Sequence, residues 1–194
     1  MTNGLYQMLL GQHAESTAPL LHLPDGKTLS YADMARDVAQ ISGLLRARGL
    51  RKGDRLAMQG PKSPRALALY LACVHSGVIF LPLNTAYTPD EVRYFVDDAA
   101  PKIIVTDPEA EAALRGVARD ADSTLLTLDA DGRGSFADAV AGAEPQSDAV
   151  PCSRRTDLLS VYIRHHRPVQ RGDADAAESD LERSHADADM AVYP

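Results

Sequence analysis

Short apolar runs alternate with longer helical stretches along the first 162 residues, and this order restricts the fold more than any other feature. Strands are predicted at 55–59, 78–83, 103–106, 123–128 and 157–162. A nearly all-apolar helix is predicted over 63–75, so this helix should be buried. Strands separated by helices form a parallel-rich sheet that helices cover on both faces. We therefore predict an α/β fold whose ligands bind at the carboxyl ends of the strands.

Local signals mark several of the predicted helix ends. Ser30 can cap the helix that follows it, with Asp33 three residues on; because Asp is shorter than Glu, we expect an incomplete capping box. Gly49 should end this helix. The apolar face of the helix is a single stripe, formed by Met34, Val38, Ile41, Leu44 and Leu45. Thr88 followed by Pro89 is a second strong helix start, because proline fits the first turn, and Asp107 followed by Pro108 is predicted to start a further helix.

The amino-terminal part should form a short helix over 5–13 and then a hairpin. Apolar strands are predicted at 20–23 and 28–30, on either side of a Pro-Asp-Gly-Lys turn signal at 24–27.

Charge and hydropathy exclude some classes of partner. The formal net charge is -7 and the pI is about 5.3, whereas nucleic-acid binding requires clustered Lys and Arg. No polybasic membrane patch and no apolar run near 20 residues is present in the sequence. We expect no nucleic-acid partner, no membrane association and a cytoplasmic location.

The cysteine, histidine and glycine residues that could form a catalytic or binding site are explained by structural roles in this sequence. Cys73 lies in an apolar run and is predicted to be a buried small hydrophobe. His75 is predicted to be a helix-dipole partner or a residue at the edge of the core. The histidine pair His165 and His166 lacks a suitably spaced third metal ligand. Gly132 and Gly134 belong to a predicted loop over 131–135 rather than to a phosphate-binding motif. We assign no catalytic, cofactor-binding or metal-binding residue.

Several longer motifs resemble those of one enzyme superfamily. The sequence Leu-Ser-Tyr-Ala-Asp at 29–33 resembles the first core motif of adenylate-forming acyl-CoA synthetases, and 72–84 resembles their second. The stretches at 62–70, 81–88 and 131–135 are most similar to the malonyl-CoA synthetase branch. The resemblance runs from about residue 3 to residue 162. It implies that this region is the amino-terminal part of the family's large domain.

The family resemblance also implies a reaction and its reactants. A small carboxylate, such as malonate, would react with ATP to give an acyl-adenylate and pyrophosphate, and the thiol of CoA would then form a thioester. Magnesium would neutralise phosphate charge, and a glycine-rich loop would present backbone N–H groups to the triphosphate. ATP, Mg²⁺ and CoA are therefore the family's reactants and cofactor, and we expect none of their sites to be retained in this chain.

The family's third core motif is only half present. Residues 157–162 match its strand, which ends in Tyr, but the expected Thr-Ser-Gly-Thr-Thr-Gly does not follow Tyr162. The Arg-His-His-Arg run at 164–167 can be encoded by codons that read Gly-Thr-Thr-Gly in a neighbouring frame. We therefore hypothesise that 163–194 is an out-of-frame, disordered tail, which sequencing of the DNA around codon 162 would test.

Three interpretations of the whole chain remain at this point. The first is a fragment of an acyl-CoA synthetase that is inactive alone and self-associates through an exposed sheet edge. The second is a half-domain that complements another chain, or an adenylation domain for a different carboxylate. The third is an unrelated α/β protein with accidental motif matches.

Overall fold

The computed structural model describes residues 3–150, so the predicted strand at 157–162 and the segment 163–194 lie outside it. The strands are β1 Pro19–His22, β2 Thr28–Ser30, β3 Arg55–Gln59, β4 Ile79–Pro82, β5 Ile103–Thr106 and β6 Thr124–Thr127. The helices are α1 Gly4–Leu9, α2 Tyr31–Ala47, α3 Pro64–Ser76, α4 Pro89–Ala99, α5 Glu111–Asp120 and α6 Ser135–Ala141. Short 3₁₀ helices span Gly11–His13 and Pro108–Ala110.

Four strands form a parallel sheet in the order β4-β3-β5-β6, and β1 and β2 form a separate antiparallel hairpin. The predicted α/β fold with a parallel sheet flanked by helices is thereby confirmed. None of the helices in this part of the chain is long and apolar enough to cross a bilayer.

Side chains alternate between two buried cores, one on each face of the sheet. Leu56 and Met58 of β3 pack with α1, α2, α3 and α6, whereas Ala57 between them packs with α4 and α5. The same alternation continues in β5, where Ile103 and Ile104 point to opposite faces. This is the pattern expected of strands buried on both sides.

The predicted helix starts are present, with one correction. The Ser30 hydroxyl accepts a hydrogen bond from Asp33 N at 3.1 Å, and the Asp33 carboxylate accepts one from Ser30 N at 3.0 Å. The box is therefore complete, and the expectation that Asp is too short was wrong. Thr88 and Glu91 make the same reciprocal pair at the start of α4.

Two local differences from the sequence prediction occur in the second half. The helix expected from Asp107 begins as a 3₁₀ turn before α5, and α6 follows the predicted loop at 131–135 without having been predicted. Gly134 begins α6 without a side-chain cap, so the usual sequence signal is missing there.

After α6, the segment 143–150 runs across α2 to the carboxyl end of α3. Gln146 N donates to Ala39 O at 2.8 Å and Val150 N donates to His75 O at 2.8 Å. His75 Nε2 lies 3.3 Å from the Ser147 carbonyl oxygen, and the His75 ring makes an edge contact with Tyr6. The segment therefore closes the core over His75, which is only 1% exposed.

Acidification should destabilise this closure. Burial lowers the pKa of His75, although the hydrogen bond to Ser147 and the charge of Asp148 oppose that shift. An unfolded histidine has a pKa of about 6.5. Below that pH, the His75 side chain binds a proton in the unfolded chain but remains neutral in the folded one. Stability should thus be fully present above that pH and fall as the pH drops towards the lowered pKa, by at most about 1.4 kcal/mol per pH unit. Urea unfolding from pH 8 to pH 5 measures this dependence.

His75→Phe is the matched variant, since it keeps a ring against Tyr6 but cannot titrate. We expect its free energy of unfolding to depend less on pH than that of the natural chain. Identical pH profiles for the two proteins would contradict the assignment to His75.

Candidate functional site

The carboxyl edge of the parallel sheet is the candidate site. From β3, the chain passes to α3 on one face of the sheet; from β5, it passes to α5 on the other. These two strands are neighbours, so their connections diverge and leave a crevice beyond Gln59 and Thr106. Ligands of open α/β sheets bind at such a switch point.

The Gln59 side chain fixes the loop that closes one side of the crevice. Its Nε2 donates to Asn84 O at 3.0 Å and to Tyr87 O at 2.9 Å, and the residue is almost fully buried. Asn84 Oδ1 in turn accepts a hydrogen bond from Ala86 N at 3.0 Å. The loop after β4 is therefore held by a buried amide at the end of β3.

Asp107 lies at the other side of the crevice, directly after β5. Its backbone N–H donates to Gln59 O at 3.2 Å, and its Oδ1 accepts from Glu109 N at 2.9 Å, which starts the 3₁₀ helix. The preceding Thr106 is completely buried, and its hydroxyl has no hydrogen-bond partner among the described residues. Asp107 thus presents a carboxylate at the rim of the crevice.

Two cavities occupy this edge and share Gly60, Pro61 and Thr85. One, of about 390 Å³, lies at the switch point and also contacts Gln59 and Asp107. The other, of about 430 Å³, lies on the α3 side of β4; its lining comprises Met58, Gly60, Pro61, Lys62, Ala66, Tyr70, Phe80, Pro82, Leu83, Asn84 and Thr85. Each is mostly apolar with a few polar groups, as small-molecule sites are.

A hydroxyl pair holds the loop at the end of β6. Thr127 N donates to Ser135 Oγ at 2.9 Å and Ser135 N donates to Thr127 Oγ1 at 3.0 Å. Gly134 between them has φ +123° and lies against the Thr127 carbonyl. The glycines at 132 and 134 therefore form a turn, as predicted.

The other residues considered in the sequence have structural roles where the structure describes them. Cys73 is completely buried, and burial raises the pKa of its thiol, which confirms the prediction of a small hydrophobe. His75 is a buried residue at the end of α3, away from the carboxyl edge of the sheet. His165 and His166 lie outside the described residues.

The polar groups of the carboxyl edge can position a ligand, but they do not form a reactive set. Lys62 and Asp107 are the charged residues that line the two cavities. Residues 3–150 contain no group of three His, Cys, Asp or Glu side chains that could hold a metal ion.

Sequence reasoning missed Gln59, Asn84 and Asp107 as residues that shape the candidate site. A local signal was available, because each is polar and follows or ends a buried apolar strand. Only the strand order shows that these three positions meet at one edge.

Residues 10–179 match the family model described as AMP-binding enzyme. The matched range extends beyond residue 162, the boundary predicted from the sequence. Two curated relatives are similar over shorter ranges. The feruloyl-CoA synthase of an Amycolatopsis species is 37% identical over 84 residues, which are 43% of this chain and 17% of that protein. The indoleacetate–CoA ligase of Aromatoleum aromaticum is 34% identical over 142 residues, 70% of this chain and 28% of that protein.

Solved structures show the same relationship. ATP-bound MatB from Rhodopseudomonas palustris superposes with a TM-score of 0.74 at 39% identity, over 83% of this chain and 32% of that one. The chain thus spans less than a third of the curated relatives' length and about a third of MatB. The family match covers most of the 194 residues, so the chain belongs to the AMP-binding enzymes, the adenylate-forming acyl-CoA synthetases, and corresponds to their amino-terminal region.

Proposed function

We propose that this chain supplies the amino-terminal part of an ATP-dependent acid–thiol ligase and does not catalyse the reaction by itself. One observation carries the proposal: among the residues that line the two cavities at the carboxyl edge, Lys62 is the one basic side chain available to a triphosphate. The Gly-Thr-Thr-Gly sequence expected after Tyr162 is also absent from the chain.

Catalysis in this chemistry depends on donors aimed at phosphate oxygens. Activation of a carboxylate by ATP expels pyrophosphate, so negative charge develops there and must be stabilised by preorganised N–H groups and cations. Lys62, an exposed residue on one cavity, is a single flexible cation. Without a glycine-lined loop beside it, the edge can orient reactants but cannot stabilise that charge.

Malonate, or a small substituted malonate, is the proposed carboxylate. The support is the similarity of 62–70, 81–88 and 131–135 to malonyl-CoA synthetases. Parts of two of these stretches lie on the candidate site: Lys62 and Asn84 both line the larger cavity. A different carboxylate remains the alternative, and a cytoplasmic location is part of the same proposal.

Purified chain should show essentially no exchange of pyrophosphate into ATP when malonate is present. Losing preorganised phosphate donors costs a hundred- to a thousandfold each, so we expect a rate roughly a thousandfold or more below that of an intact family enzyme. The acetyl-coenzyme A synthetase of Emericella nidulans, assayed with acetate, is a suitable reference. Exchange at a comparable rate would refute the proposal.

Complementation is tested in the same assay. The part of MatB that this chain does not match would be added in excess. If pyrophosphate exchange appears only in the mixture, residues 1–194 act as a half-domain that another chain completes. That result would contradict the proposal of an inactive fragment. Continued inactivity supports the fragment.

A further inference from the structure

Asn3 fastens α1 to the carboxyl end of α3. The residue is only 1% exposed, and both ends of its side-chain amide are hydrogen-bonded. Its Oδ1 accepts from Tyr6 N at 3.1 Å, within the first turn of α1, and its Nδ2 donates to Val74 O at 2.7 Å. The second bond joins residues that are 71 positions apart in the sequence, so this amide couples α1 to the core.

Position 3 requires a side chain that both donates and accepts a hydrogen bond. Asparagine has a carbonyl oxygen and an NH₂ group, whereas an ionised aspartate of the same shape has only acceptors. An aspartate at this position would place a buried negative charge against the Val74 carbonyl oxygen, which is itself an acceptor. Such a contact is strongly unfavourable. Replacing the Asn3 amide by a carboxylate would therefore release α1 from α3.

Gly4, the residue after Asn3, makes that replacement chemically accessible. Gly4 is exposed, and no atom lies within 4 Å of the place that a Cβ would occupy. Because no side chain is in the way, its backbone nitrogen can attack the Asn3 side-chain carbonyl carbon. A new C–N bond closes a cyclic imide, the bond to the side-chain nitrogen breaks, and ammonia leaves with the proton of the Gly4 amide. Water then opens the imide to aspartate or isoaspartate, so ammonia is lost and water is gained without any redox change.

The docked position of α1 prevents this reaction. Attack requires the Asn3 side chain to turn back over its own peptide bond, which breaks its hydrogen bonds to Tyr6 and Val74. Burial also keeps water away from the amide, so the reaction has to wait until α1 detaches. The helix has six residues, of which Met8 and Leu9 are exposed. Short elements with few buried contacts open at a free energy well below that of global unfolding.

We propose that the Asn3–Gly4 peptide is a deamidation site that becomes reactive only when α1 leaves α3, and that the reaction makes this release permanent. While α1 is docked, the amide is held and unreactive. Once aspartate or isoaspartate has formed, the donor to Val74 O no longer exists. Isoaspartate also carries the main chain through its side-chain carbon, which lengthens the backbone just before α1. The modification is independent of the proposed ligase function.

Release of α1 also uncovers His75. The Tyr6 ring lies edge-on to the His75 ring, with the ring centroids 4.7 Å apart, and Ser147 of the segment 143–150 contacts the same imidazole. Deamidation of Asn3 should therefore loosen the core at the carboxyl end of α3. The two cavities at the carboxyl edge of the sheet should be unaffected, since no residue of α1 lines them.

Mass spectrometry of the full 194-residue chain after incubation at mildly alkaline pH measures amide loss at Asn3. A synthetic peptide of residues 1–9 gives the rate for the undocked sequence. We expect Asn3 in the natural chain to react at least about tenfold more slowly than in the peptide, because local opening must precede attack. Tyr6→Ala removes the ring packed against His75 and should bring the rate close to that of the peptide. Amide protection of β5, which is paired on both sides, reports that the sheet remains folded, and Tyr6→Leu is the milder variant if it does not.

Gly4→Ala is the matched control, because no atom lies within 4 Å of its added methyl group; it should slow deamidation without freeing α1. Asn3→Asp imitates the product. The Gln7 and Leu10 amides, which donate to Asn3 O and Tyr6 O, should lose their protection from hydrogen exchange in this variant while β5 keeps its own. Equal rates in the natural chain and the peptide, or no acceleration in the Tyr6 variants, overturn the proposal. Continued protection of Gln7 and Leu10 in Asn3→Asp overturns it as well.

Discussion

Gly134→Ala should unfold or strongly destabilise the region where β6 meets α6. Gly134 has φ +123° and ψ 178°, a combination that is essentially restricted to glycine. A Cβ at this position would overlap the Thr127 carbonyl oxygen, which is backbone and cannot rotate away. Strain and overpacking together should cost about 4 kcal/mol, measured as the loss in free energy of unfolding in urea.

The damage should extend beyond the turn. Shifting Gly134 separates the Ser135 and Thr127 groups that hydrogen-bond each other, and it displaces α6, whose Phe136 and Val140 are buried in the core. Gly132→Ala is the matched control: it also has positive φ, +80°, but the nearest atom to its added Cβ is 3.6 Å away. We expect this variant to lose only about 1–2 kcal/mol. Equal losses in the two variants would show that backbone strain alone, without the contact to Thr127, sets the cost.

Elements specified by neighbouring residues were predictable from the sequence. The strands at 55–59 and 103–106 coincide with β3 and β5, and the predicted apolar stripe of α2 is buried along its length. Local hydrogen bonding explains the success, since caps such as Thr88 with Glu91 involve residues only three positions apart. The same locality explains why β4 and β6 differ from prediction by only one residue at each end.

Features that depend on distant residues were not predictable in the same way. The order β4-β3-β5-β6 places β5 beside β3, although β4 comes between them along the chain. The crevice formed by Gln59 and Asp107 exists only because of that order. The sequence predicted that ligands bind at strand ends, but it could not indicate which two strand ends adjoin.

The contact between Gly43 in α2 and the backbone of Glu144 is the clearest feature that depends on residues far apart in the sequence. In the sequence, Gly43 is an unexplained glycine inside a helix, where it costs about 1 kcal/mol relative to alanine. In the fold, a Cβ at Gly43 would overlap the Glu144 carbonyl oxygen, about 100 residues further along the chain. The glycine allows the segment 143–150 to lie directly on α2.

Gly43→Ala should therefore be strongly destabilising, although alanine is the better helix former. The added methyl group must displace the backbone at Glu144, and with it the Gln146–Ala39 hydrogen bond and the contact of Ser147 with His75. We expect a loss of about 3 kcal/mol in the free energy of unfolding. Gly116→Ala in α5 is the matched control, because no atom lies within 4 Å of its added Cβ; it should gain about 0.5–1 kcal/mol.

A second measurement separates displacement of the segment from general loss of stability. Burial lowers the pKa of His75, whereas the hydrogen bond to Ser147 and the charge of Asp148, both in the segment, oppose that shift. Lifting the segment in Gly43→Ala removes these contacts and should therefore change the His75 titration. An NMR titration of the imidazole under conditions where the variant remains folded follows this change. A Gly43→Ala protein as stable as the natural chain, with an unchanged His75 titration, would mean that 143–150 does not lie against α2 in solution.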